Sequence, residues 1–414
     1  MAYKISILHS EIIIYLKSEK GNTGYAFFYN IPIINDYQYP LRIIVNKEKN
    51  SKILGYKIIT EFGENKLIKF DIGKTIKNEI VKIHFEFIVL IVNKNYDDLS
   101  KNVSKNSYIN NNEHREWLSS SKSIQSNNII IKLISYILSY KKVNMIDVIN
   151  RIIVLTPFHN IHLQFLRYII ETNRALRPIF LPKKYFTGLM DSMSYLFWGG
   201  LCCAQTNFAV SLLRANRIPT RVMIVTMFGR HISKGEKIWL DSNHYMLQVF
   251  IPKYGWVNGT PGKFPYNNKN YIIHKILYIR DENIAGNGLS FYGGMSPWFH
   301  LSKKDVAIQF PNESQMPYKK PFGNISGVPA IRLWVDSKFN INKKSLEILT
   351  KLIKKNWYIN IEIINQLDNS SKSYKNCNYF DIQKELIYHL KKGNVKKAID
   401  IYKNVFQIYT EKLL

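Results

Sequence analysis

Cysteine is scarce in this chain: the 414 residues hold 3, at positions 202, 203 and 377. No C-x-x-C pair occurs, which argues against a structural zinc site, and three cysteines with two of them adjacent cannot build a disulfide framework. Acidic residues are also few, with Asp and Glu numbering 30 against 58 Lys and Arg, for a net charge of +28. Long hydrophobic runs are missing. The best candidate, Phe87 to Val92, is far too short to cross a bilayer, so no membrane span is expected. The first residues lack a clean apolar stretch, being interrupted by Lys4, His9, Glu11 and Lys17. No signal peptide is expected and the expected location is cytoplasmic.

What is present is a large apolar fraction. At 46% hydrophobic and 14% aromatic residues, the chain can bury a sizeable core and does not read as disordered. Its length allows two or three domains. The positive charge raises a nucleic-acid reading, but the excess is spread along the chain without an Arg-rich arm or a dominant basic helix. Lys, Ile, Asn and Tyr are all abundant, as an A+T-biased coding sequence would produce. No specific nucleic-acid partner is expected.

Residues 1–98 contain short alternating runs such as Glu11 to Leu16, Leu41 to Val45 and Val81 to Phe87. They are separated by turn signals such as Gly21-Asn22 and Gly63-Glu64-Asn65, which predicts an all-β sandwich. Residues 99–127 are rich in Asn, Ser and Lys and read as a linker. From Ile129 the period becomes helical, over Ile129 to Leu138, Ile146 to Ile153 and Ile161 to Thr172. Cys202 to Ala215 is the next helix. Strands then return at Thr220 to Met227, Ile238 to Leu240 and His244 to Ile251. Helices followed by strands predict an α+β core over 128–300. In 301–414, Ile331 to Val335 and Tyr358 to Ile364 read as strands flanking a helix from Lys344 to Lys355. Two helices, Ile382 to Lys391 and Val395 to Tyr409, meet at Gly393. This segment is expected to be a small α/β extension without an assigned role.

Chemistry concentrates at Gly199-Gly200-Leu201-Cys202-Cys203. A thiol at a helix start is exposed to free backbone N–H groups and the helix dipole, both of which favour a thiolate. A thiolate nucleophile needs a base and a group that orients the base. His244 opens a strand and supplies the imidazole. A hairpin between Pro252 and Gly255 is expected to return Asn258 beside it, and a side-chain amide there can accept from one ring N–H. The candidate catalytic set is Cys202, His244 and Asn258. Cys203 is expected to pack in the helix face, and Arg221 to serve the following strand. Asp241, three residues before His244, reads as a turn cap and is the alternative carboxylate for orienting His244. His159 and His162 are three apart, but the local sequence offers them too few further ligands for a metal site. No cofactor is expected.

These residues carry a resemblance. Gly200-Leu201-Cys202, then Arg217-Ile218-Pro219-Thr220-Arg221-Val222, then His244-Tyr245-Met246-Leu247-Gln248-Val249, then Tyr254-Gly255-Trp256-Val257-Asn258-Gly259-Thr260-Pro261 resemble the transglutaminase-like superfamily. There a G-x-C motif precedes a G-I-P-T-R-V-type segment, H-A-W-x-E-V and G-W-x-x-x-D-P-T-P. The resemblance implies a papain-like catalytic core. It extends weakly to the preceding β-sandwich, around Glu61 to Asn65, and to a short element at Glu116 to Ser119. It also implies acyl transfer at amide bonds of a protein or peptide through a thioester on the cysteine, with hydrolysis favoured over cross-linking. The Cys202 backbone N–H would serve as one oxyanion donor, with Trp198 a candidate for the other. The family's Asp is absent. A gapless alignment from Trp256 puts Thr260 in its place, whereas a two-residue deletion puts Asn258 there, and Asn258 is preferred because an amide accepts the imidazole N–H better than a hydroxyl. Met246 and Gln248 replace the family's Trp and Glu. The rival expectation is a binding module that keeps the fold and has lost activity.

Overall fold

The computed structural model describes residues 2–18, 20–46, 51–94, 96, 99, 112–142, 144–172, 191–199, 202–227, 234–240, 244–266, 271–279, 282, 295–296, 299–302, 306–309, 330–369 and 377–413. The first strands are β1 (Ala2–Ser18), β2 (Tyr25–Asn30), β3 (Gln38–Val45), β4 (Ile53–Thr60), β5 (Lys66–Ile72) and β6 (Ile80–Asn93). After a 3-10 segment at Asn112–Leu118 come helices α1 (Ile129–Ser139), α2 (Met145–Thr172), α3 (Ser192–Trp198) and α4 (Cys202–Ala215). Strands β7 (Thr220–Met227), β8 (Ile238–Leu240), β9 (His244–Ile251), β10 (Gly255–Gly259) and β11 (Tyr271–Leu277) follow. Short strands β12 (Met295–Ser296), β13 (Phe299–Leu301) and β14 (Val306–Gln309) precede β15 (Ala330–Asn342). The last helices are α5 (Lys343–Asn369), α6 (Cys377–Lys391) and α7 (Val395–Leu413). The class is α+β.

Period-two alternation gives the early strands two different faces. On one face, aromatic side chains of two sheets meet, with Tyr29 and Phe85 ring centroids 5.0 Å apart and Phe70 and Phe85 5.4 Å apart. A sandwich therefore forms, but residues 1–98 do not build it alone. The six-stranded sheet runs β3-β6-β1-β15-β8, with β14 also on β1, and the five-stranded sheet runs β12-β13-β2-β5-β4. Strand β15 thus lies beside β1, from Ala2 opposite Asn342 to Ile13 opposite Ala330. The expected boundaries at 98 and 300 do not separate sheets.

The outer face of the six-stranded sheet carries Ile5, Ile7, Ile88, Leu90 and Val92. These pack with Leu349 and Ile353 of α5, Leu386 and Leu390 of α6, and Ala398 and Tyr402 of α7. Tyr358 to Ile364 lie inside α5, so the expected strand there is corrected to helix. Ile353, Trp357 and Ile364 are buried at helical spacing, and this packing overrides the β-propensity of the isoleucines. The two helices expected over 146–172 form one, with Pro157 inside it. Gly393, at φ +74°, makes the α6–α7 joint; the left-handed conformation suits glycine. No helix among the described residues is long and apolar enough to cross a membrane.

A four-stranded antiparallel sheet, ordered β10-β9-β7-β11, forms the part of the fold that positions the candidate site. Helix α4 covers one face. Cys203, Ala204, Phe208 and Leu212 of α4 share a buried cluster with Val222, Ile224, Tyr245, Leu247 and Val249. Ending the chain at residue 329 would strip β1 of its β15 partner and leave an open apolar edge. We expect that truncation to abolish cooperative urea unfolding and to produce aggregates on size exclusion. A monomer with an unchanged midpoint would show β15 to be dispensable.

Candidate active site

Helix α4 begins at Cys202, which is half-buried, while Cys203 is buried. Gly199, at φ +65°, turns the chain after α3 and donates its N–H to the Tyr195 carbonyl at 2.9 Å. The Cys202 sulfur receives a hydrogen bond from the Cys203 thiol, shares one with the His244 ring and receives another from the Tyr245 backbone N–H. The Cys203 hydrogen bond, with the His244 bond and charge behind it, pulls the Cys202 thiol well below its ordinary range against the cost of burial. Cys203 moves the other way, because its proton is committed to the Cys202 sulfur and the group is buried. Only the thiolate is a strong nucleophile. The arrangement therefore favours a Cys202 thiolate over a Cys203 thiolate.

Strand β9 carries the imidazole. Its pairing with β7 sets His244 opposite Val225, Tyr245 opposite Ile224 and Gln248 opposite Arg221. Its pairing with β10 sets Gly255 opposite Ile251 and Asn258 opposite Gln248. Asn258 is accordingly not brought to His244. Its Oδ1 accepts a hydrogen bond from Gln248 Nε2 at 2.6 Å, and the residue is fully buried. The physical reason is the tightness of the hairpin: a turn this short pairs Asn258 with a residue midway along β9 rather than with its first one. Thr260, the residue that the gapless alignment selects, is the one that reaches the ring, with its Oγ1 3.5 Å from His244 Nε2. Asp241 falls outside the described residues, as do Gly200 and Leu201. The side chains of Trp198, His159 and His162 also fall outside them.

The structure also shows a polar chain that was not legible beforehand. Arg221 Nε donates to Gln248 Oε1 at 2.7 Å, and Gln248 in turn donates to Asn258. The Arg221 guanidinium lies 4.3 Å from the Trp256 ring centroid and 5.6 Å from that of Trp117. Its Nη1 is 3.4 Å from Glu64 Oε1. Arg221, Gln248 and Trp256 line a cavity of about 360 Å³ together with Glu64, Trp357 and Tyr358, among other residues. Cys202 and His244 are not in its lining. Sequence reading flagged Gln248 only as a replaced residue and Arg221 only as a strand residue. Their opposite register was the missing information.

A second buried pair holds α4. Arg214 Nη2 meets Glu282 Oε1 at 2.7 Å and Nη1 meets Oε2 at 3.1 Å, with both side chains at most 1% exposed. Arg214 Nε also donates to the Thr220 carbonyl at 2.9 Å, and Nη1 to the Ser119 carbonyl at 2.8 Å. One guanidinium thereby ties the helix to the chain before it, to β7 and to the segment after β11.

Residues 168–261 match the model of a family described as the transglutaminase-like superfamily. That span contains Cys202, His244, Asn258 and Thr260. No curated protein matches the chain. Among solved structures, it is similar to the crystal structure of a proposed cysteine protease from Cytophaga hutchinsonii. That similarity has 12% sequence identity and a TM-score of 0.45, over 81% of this chain and 98% of the other.

Removing one partner of a fully buried ion pair leaves the other charge unpaired, at a cost of about 3–5 kcal/mol. Arg214→Ala is expected to lower unfolding stability by about that much in urea titration. A loss of under about 1 kcal/mol, the range of an exposed pair, would show that Arg214 does not hold α4.

Proposed function

Residues 168–261 belong to the transglutaminase-like superfamily, and from that premise we propose that the chain is a cysteine-dependent amide hydrolase acting on a protein or peptide. The observation that carries this reading is the Cys202 sulfur, which is held by His244, the Tyr245 N–H and the Cys203 thiol at the start of a helix. Cys202 attacks the amide carbonyl carbon and a tetrahedral oxyanion forms. The Cys202 backbone N–H, free at the helix start, is one donor to that oxyanion. His244 gives its proton to the departing nitrogen, and the C–N bond breaks to leave a thioester on Cys202. His244 then takes a proton from water as the water oxygen attacks the thioester. The C–S bond breaks, releasing the acid and restoring the thiolate–imidazolium pair. A primary amine in place of water would give transamidation; hydrolysis is our reading. A cytoplasmic location belongs to the same proposal.

In this reading Thr260 holds the ring, and Asn258 positions the β9–β10 pair through Gln248. A hydroxyl orients an imidazole but brings no negative charge to the imidazolium, and that observation favours a second reading. With no carboxylate placed beside His244 among the described residues, the fold would bind acyl groups and turn them over slowly or not at all.

Two measurements separate these readings. Iodoacetamide labelling of Cys202 is expected to persist at pH 6, where a free thiol of pKa about 8.5 is under roughly 1% ionised. Cys202→Ala should abolish this labelling and Cys203→Ala should retain it at a slower rate. Labelling that instead follows a titration near pH 8.5 would remove the thiolate assignment. Thr260→Asp is expected to raise turnover of a peptide amide by roughly tenfold or more, and Asn258→Ala to lower the melting temperature while leaving the shape of the pH profile unchanged. If wild type and Thr260→Asp both show no turnover while Cys202 still labels at pH 6, the binding-module reading stands. Incorporation of a fluorescent primary amine faster than acid release would replace hydrolysis with transamidation.

A further inference from the structure

The outer face of the six-stranded sheet changes character past the helices that cover its apolar half. On β1 and β6, Glu11 lies directly opposite Glu86, His9 opposite Ile88 and His84 opposite Ile13. Alternation puts His9, Glu11, His84 and Glu86 on the same face. Two carboxylates directly opposite on one face repel each other, and both are largely buried, at 10% and 18% side-chain exposure. Something positive must sit with them.

One oxygen of each carboxylate is already committed. Arg332 Nε donates to Glu11 Oε2 at 2.6 Å, and His9 Nε2 lies 2.6 Å from Glu86 Oε2. The remaining oxygens turn toward one point. Glu11 Oε1 is 3.0 Å from His84 Nε2, and Glu86 Oε1 is 3.9 Å from it. The Asn46 side-chain amide lies 2.7 Å from Glu86 Oε1 and 3.2 Å from His84 Nε2. The Asn46 amide serves Glu86 Oε1, which leaves His84 Nε2 to serve Glu11 Oε1. Donor atoms of Glu11, His84 and Glu86 all lie within 4.8 Å of one another.

We propose that Glu11, His84 and Glu86 bind a divalent transition-metal cation of the zinc type. Bonds of about 2.0–2.2 Å in a tetrahedral site set neighbouring ligand atoms roughly 3.3–3.5 Å apart. The separations of 3.0 Å and 3.9 Å from His84 Nε2 bracket that distance. The Asn46 amide, which donates to Glu86 Oε1 at 2.7 Å, holds that carboxylate toward the same point. One nitrogen and two oxygens, with a water to complete the tetrahedron, suit a borderline cation. Arg332 and His9 orient the two carboxylates from behind, as outer partners do in metal sites. The absence of cysteine pairs bears only on thiolate sites and leaves this donor set open. The ion would join β6, β1 and the end of β3, and through Arg332 it would brace β15. Its role is to staple the sheet, independently of Cys202.

The test uses the full chain carrying Cys202→Ala and Cys203→Ala, so that its outcome does not depend on the proposed thiol chemistry. After chelator treatment and desalting, Zn2+ alone is added and followed by calorimetry, metal analysis and thermal melting. One ion per chain with a raised melting temperature is expected. In the same background Glu86→Gln, which keeps the side-chain shape, and His84→Gln should each lose the ion or bind it at least a hundredfold more weakly. His9→Gln should weaken it about 10–100-fold. Absence of tight binding in the parent overturns the proposal. So does unchanged binding in either Glu86→Gln or His84→Gln, which would put the ion elsewhere.

Discussion

The register of β9 between β7 and β10 is the constraint on which the candidate site depends. Side chains alternate along a strand, so a slip of one residue exchanges its faces completely. In the observed register Tyr245, Leu247 and Val249 lie in the cluster beneath α4, and Met246 lies in the separate cluster on the other side. His244 and Gln248 follow Met246. A one-residue slip would push Gln248 against the apolar face of α4 and break its pairing with Arg221 and Asn258. The apolar burial of one face thus fixes the polar geometry of the other. The same register sets Arg221 against Gln248 and Gln248 against Asn258, giving a buried row of polar residues across three strands.

Buried polar groups of this kind are costly unless every partner is in place. Arg221 meets that cost with a hydrogen bond to Gln248, aromatic faces on Trp256 and Trp117, and a longer contact to Glu64. Arg214 meets it with two carbonyls and a two-pronged contact to Glu282. Neither side chain tolerates a displaced neighbour. Arg214 therefore restricts how α4 and the four-stranded sheet can sit against each other, and Arg221 restricts how β7, β9 and β10 do. That restriction matters for a sulfur whose ionisation depends on hydrogen bonds from a different element.

Local features of the fold were legible in the sequence. Apolar spacing bounded by glycine and proline gave the ends of the Cys202–Ala215 helix and of β7, β8 and β9 as they stand in the structure. Long-range pairings were not legible. Nothing in the pattern of Ile331 to Val335 says that its partner is β1, more than three hundred residues earlier. Glu282 gave no sign of pairing with Arg214, since neither residue's local context reveals a partner so far along the chain. Tyr358 to Ile364 reads as a strand by propensity and becomes helix because Trp357 and Ile364 need to face one core. Asn258 was assigned by its chemistry, whereas the hairpin decides by geometry. Positive φ at Lys253 and Gly255 makes a tight turn, and a tight turn gives Thr260 to the histidine.

That exchange changes the electrostatics of the pair. A carboxylate beside His244 would stabilise the imidazolium and, through it, the thiolate. Among the described residues Thr260 supplies the ring with a dipole and no charge, so more of the thiolate's support comes from its own side. The Cys203 thiol and the Tyr245 N–H both point at the sulfur, and the helix start adds a field of the same sign. The cost of ionising Cys202 is thus met by the Cys203 thiol, by the His244 ring and its charge, and by the Tyr245 N–H. Such donors stabilise a resting thiolate and keep stabilising it as the substrate approaches, which tempers its nucleophilicity. A site built this way resists loss of the thiolate on acidification more than it favours rapid attack.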